Sequence, residues 1–223
     1  MSIVGKFLGD PLMAVLSILL CVGLTFLITI TFKTVNVFSK KNASEYNEHV
    51  WCAMILIIAL VYPQSFLRTN TFEHILNWGF ARNFLLYIVI GIAASFFSRW
   101  PYGNKRYNFR FVVTFPFFEE ILFRGVILAI LVSIPFISNS NASRLCGVLF
   151  GIMHFQYIGL GFDKERMIKV LISGLGGYFF SIITLQTQSI LPAIFLHYTF
   201  NISALSFAKM RIKKNNEKQK TST

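Results

Sequence analysis

Between Phe111 and Phe136 the chain runs apolar for the length of a membrane crossing, with only Glu119, Glu120 and Arg124 charged. Each such group costs about 2.5–3.5 kcal/mol at the centre of a bilayer on insertion scales, so three together in a spanning helix demand a purpose. At about 100° per residue, Glu120 and Arg124 stand one turn apart with the acid N-terminal, the spacing that favours an ion pair. Glu119 points elsewhere, with no local counter-charge. It becomes a candidate for proton chemistry if basic groups from other helices reach it.

Composition supports the membrane reading. Hydrophobic residues make up 55% of the 223 and charged ones 13%, which fits a polytopic membrane protein and not a soluble domain. A net charge of +12 would suggest nucleic acid in a soluble chain. Here the basic residues fall in short connections and a tail, where they act as topology signals, and no nucleic-acid partner is expected. Cys21, Cys52 and Cys146 lie in three different apolar runs without metal-site or redox spacing, and are read as small packing residues. The apolar run after Asp10-Pro11 is too long for a signal-peptide core and lacks a small-residue cleavage site, so it is read as a retained span.

Seven apolar segments can be marked, at about 11–32, 50–66, 82–98, 112–135, 144–160, 168–186 and 190–208. The expected fold is all-α, a polytopic transmembrane bundle of about seven helices. One alternating set of connections, with the C-terminal end, carries 16 of the 21 Lys and Arg residues, and the other set carries 4. That asymmetry predicts an outside N-terminus and a cytoplasmic C-terminus in a plasma membrane, with membrane lipids as neighbours. The organisation expected is N-terminal helices over 1–110, a core over 111–208 and a basic cytoplasmic tail over 209–223. Gly147 and Gly151, with Gly174, Gly176 and Gly177 in the next segment, predict close helix packing.

Two histidines lie inside apolar segments, each with a companion one turn away: Phe150 with His154, and His197 with Asn201. Measured along the helices from the basic side, Glu119, His154, Asn201 and His197 all fall about 9 to 17 Å below one surface. Polar groups from three helices at one level point to a shared cavity better than to separate burials.

In that order, Glu-Glu-x-x-x-Arg at 119–124, Phe-x-x-x-His at 150–154 and His-x-x-x-Asn at 197–201 resemble the three motifs of the type II CAAX prenyl endopeptidase and bacteriocin-processing (CPBP, Abi) intramembrane protease family. The resemblance spans roughly residues 110–205. It implies an intramembrane endopeptidase in which Glu119, aided by His154, activates water and His197 and Asn201 stabilise the oxyanion. Glu120, Arg124 and Phe150 would be supporting residues. It leaves the metal open: either none is used, or zinc sits on Glu119, His154 and His197, though no H-E-x-x-H helix is present. The implied substrates are peptides or lipidated proteins at the membrane. The Lys-, Asn- and Ile-rich composition looks bacterial and turns the expectation toward peptide maturation or bacteriocin self-immunity.

Two readings from other classes compete. A proton-coupled transporter also uses buried Glu and His, but usually shows paired repeats, which this chain lacks. A non-catalytic scaffold or immunity protein would keep the residues without the chemistry.

Overall fold

The computed structural model describes residues 15–23, 25–27, 52–57, 78–154 and 163–221, and all its regular structure is helical. Five helices carry the described core. They are α1 (Trp78–Ser98), α2 (residues 105–133), α3 (Asn139–Met153), α4 (Lys164–Thr187) and α5 (Leu191–Thr221). The stretches 15–23, 25–27 and 52–57 are helical as well, inside the first two apolar segments, whose remainder lies outside the described residues. Their Cys21 and Ile55 sit in one apolar core with Leu122, Ile127 and Cys146. The expected count of seven spans is therefore not established: α4 and α5 (to Lys220) are each long and apolar enough to cross a bilayer.

The outer surface fits a lipid environment. Leu85, Leu86, Val89 and Phe97 on α1, Leu171 and Leu175 on α4, and Phe195 and Ile202 on α5 are all exposed. Water would penalise so extensive an apolar exterior, whereas hydrocarbon does not.

Local chemistry sets the helix ends. Asn104 accepts from the Tyr107 N–H and caps α2, while the Asn108 amide bonds both the N–H and the carbonyl of Gly103 in the approach to it. Ser138 caps α3 and Asp163 caps α4 by the same device. Between α4 and α5 lie only Gln188, in the left-handed region at φ 51°, Ser189 and Ile190. Pro192 then occupies the first turn of α5, where a missing N–H costs nothing.

Three features differ from the sequence reading. First, α2 is not a uniform α-helix. It is wound in π geometry over Arg110–Thr114 and again over Ile121–Ile127, flanking the turn Phe115–Glu120 that carries both acids. Second, α3 begins at Asn139 and ends at Met153, so His154 is its C-terminal cap residue and does not lie within a longer helix. Third, α5 continues unbroken past Lys209, where the tail was expected to start.

The glycines do what their spacing suggests. A Cβ at Gly147 would lie 2.7 Å from the Gly174 carbonyl oxygen, and one at Gly177 would lie 2.9 Å from Phe150, so α3 and α4 meet almost backbone to backbone.

Candidate active site

That close crossing is the first link in a chain of contacts leading to the acids. With no side chain at Gly177, the Phe150 ring presses against its backbone, and the Gly177 carbonyl accepts from Arg124 Nη2 at 3.0 Å. The guanidinium carbon lies 4.4 Å from the Phe150 ring centroid and 5.3 Å from that of Phe180. Such cation–π contacts are worth about 2 kcal/mol each when desolvated. Arg124 is fully buried, and its Nε lies 3.0 Å from Glu120 Oε2, as the one-turn spacing predicts. The two atoms are not aligned as a hydrogen bond, so their attraction is that of two charges at contact.

Glu120 does more than pair with Arg124. Its other oxygen, Oε1, accepts from His197 Nδ1 at 2.8 Å, joining α2 to α5 across 77 residues of sequence. An ionised carboxylate only accepts, so the proton on His197 is fixed at Nδ1 and Nε2 is the nitrogen left for chemistry. That Nε2 lies 3.7 Å from Glu119 Oε2. The distance exceeds a hydrogen bond but lets one water molecule bond to both.

His154 is oriented in the same manner by a different partner. Its Nδ1 is 2.8 Å from the Phe150 carbonyl oxygen, an acceptor only, so in the neutral ring Nε2 bears the lone pair. Phe150 thus holds both halves together: its carbonyl fixes His154, and its ring contacts His154, His197 and Arg124.

Glu119, His154, His197 and Asn201 all line one cavity of about 640 Å³, together with Trp100, Phe111 and Phe180. The shared pocket inferred from helix depth is present, although α3 stops short of the length assumed. Asn201 has a further commitment, because one of its amide N–H groups donates to the backbone carbonyl of Phe111. The rim carries two ion pairs, Asp163 with Arg166 at 2.8 Å and Glu165 with Lys169 at 3.0 Å. Lys169 also lies over the Trp100 ring at 5.6 Å. Burial raises the Tyr107 phenol above its ordinary range, keeping it neutral at the rim.

The sequence reading missed Trp100, Phe180 and Lys169 as cavity residues, because single aromatic or basic residues in an aromatic-rich, basic chain carry no signal. It also missed Pro116, for which a signal existed: a proline inside an apolar helical run. Among the described residues no three His, Cys, Asp or Glu side chains are grouped to hold a metal ion. The zinc set of Glu119, His154 and His197 is not assembled here, and no step below runs through a metal.

Fold and site together define a helical, membrane-type protein with a cavity between its helices lined at depth by buried carboxylate and imidazole groups. Residues 106–203, which contain all of the cavity's acids, both its imidazoles and Asn201, match the family model described as type II CAAX prenyl endopeptidase Rce1-like. Over that segment the chain carries a domain of this family. No curated protein and no solved structure matches the chain.

Proposed function

We propose that this protein is an intramembrane endopeptidase that hydrolyses a peptide bond in a membrane-associated peptide or lipidated protein, using a water activated by Glu119. The observation that carries the reading is the approach of Glu119 and His197 to 3.7 Å in a cavity that His154 also lines. Family membership over residues 106–203 supports the same reaction class.

Glu119 and the lone pair on His154 Nε2 accept the two hydrogens of the water, leaving an oxygen lone pair for the scissile carbonyl. As the water oxygen bonds to that carbon, one proton passes to Glu119 and the carbonyl electron pair moves onto its oxygen. His197, held by Glu120 at Nδ1 and carrying a second proton at Nε2 as an imidazolium, donates to that oxyanion. Collapse of the intermediate breaks the C–N bond, and the proton held by Glu119 goes to the departing nitrogen. The products are a carboxylic acid and an amine, and the glutamate is regenerated.

Burial of Glu119, His154 and His197 at the base of the cavity lowers the local polarity and strengthens each of these interactions. The substrate enters from the cytoplasmic leaflet, the side on which the basic connections fall. The test is Glu119→Gln in native membranes, with products read by mass spectrometry of membrane peptides. The expected result is loss of cleavage with unchanged abundance and insertion. Cleavage that persists, or a phenotype that survives the substitution, overturns the reading in favour of a scaffold.

A further inference from the structure

The first π turn of α2 leaves a backbone group that its own helix cannot satisfy. Within Arg110–Thr114 the Phe115 N–H bonds the Arg110 carbonyl, five residues back. The Phe111 carbonyl would by the same pattern take the N–H of residue 116, but that residue is Pro116 and has none. Phe111 is buried, so water is a poor substitute, and an unsatisfied buried carbonyl is costly. Asn201, 90 residues away on α5 and 4% exposed, supplies the donor through Nδ2.

We propose that Asn201 is a positioning residue whose role is to clamp the turn opened by Pro116, and so to set the position of Glu119 three residues further on. This deepens the proteolytic reading and, for its activity readout, rests on it. The clamp uses one of the two amide N–H groups of Asn201 on a backbone group of the protein, a role separate from oxyanion donation. It also gives Pro116 a function. Without proline the helix would satisfy Phe111 itself and would need nothing from α5.

The test is a cycle of four purified proteins: wild type, Asn201→Ala, Pro116→Ala and the double variant, compared first by thermal unfolding in detergent. The expected result is that Asn201→Ala lowers the unfolding midpoint by several degrees in the wild-type background and by less than half as much beside Pro116→Ala, where a new N–H can reach Phe111. Equal losses in the two backgrounds, or none in the first, overturn the clamp.

Should Pro116→Ala fail to fold, Asn201→Asp takes its place. The introduced carboxyl can donate to Phe111 when protonated and repels its carbonyl when ionised. Burial beside that carbonyl favours the protonated form, so its midpoint should recover toward that of wild type as the pH falls from about 8 to about 5. Glu119, His154 and His197 face the same cavity in both proteins, so the difference from wild type is what is read. A difference independent of pH overturns the clamp.

Turnover of a lipidated fluorogenic peptide in vesicles is then measured per folded molecule. Rescue of Asn201→Ala by Pro116→Ala, at least tenfold in kcat, is expected, and absence of rescue overturns positioning as the role of Asn201. The thermal and pH arms need no substrate. An inactive wild type would therefore sink the proteolytic reading while leaving the clamp to be judged by stability.

Discussion

Glu120 joins two interactions that the sequence presents separately. Its spacing to Arg124 was readable because both lie on one helix, where position fixes geometry. Its bond to His197 was not, because nothing local says which side chain of another helix will meet a carboxylate's second oxygen. The two roles separate under mutation. Glu120→Gln should cost about 3–5 kcal/mol of stability, since it leaves Arg124 buried without its counter-charge. It should also lower kcat by about 10²- to 10⁴-fold at similar KM, because an amide no longer enforces one tautomer of His197. Adding Arg124→Met should return much of the stability but not the turnover. Unfolding midpoints and kcat per folded molecule distinguish these outcomes, and recovery of both together would reduce Glu120 to a structural ion.

At the scale of elements, matched depth was readable because a helix advances by a nearly constant rise, so distance from a basic boundary locates Glu119, His197 and Asn201 on their axes. What sequence could not give was the winding of α2. Two π turns bracket Phe115–Glu120, one explained by Pro116 and the other by no single residue type, and each alters which direction the acids face. The α3–α4 crossing was readable as close packing, since glycine is the residue that permits it. Gly147→Ala should therefore destabilise by several degrees in thermal unfolding, because the new methyl meets backbone on α4 that cannot move aside. Gly91 on α1 is the control, with nothing within 4 Å of its would-be Cβ. Gly91→Ala should stabilise by about 0.5–1 kcal/mol through helix propensity alone.

For the whole molecule, the apolar exterior on α1, α4 and α5 suits a bilayer, and the bias of basic residues toward alternate connections gives the proposed topology, in which the cavity faces the cytoplasm. That topology predicts that a reporter fused after Thr223 is active only in the cytoplasm. A cysteine placed at exposed Asn139, on the opposite side, should be labelled by a membrane-impermeant reagent added from outside. Labelling from the inside alone would reverse the orientation and the proposed route of substrate entry. The brevity of the link at Gln188, Ser189 and Ile190 bears on the same architecture. With three residues of slack, α5 cannot slide along α4, so the vertical offset between Phe180 and His197, whose rings lie 5.4 Å apart, is dictated by that hairpin. One extra residue in the first turn of α5, just past that bend, would swing the imidazole about 100° around its axis and about 1.5 Å along it, away from both carboxylates. Length variation in this protein is therefore tolerable at its periphery and forbidden at a bend that touches no part of the chemistry.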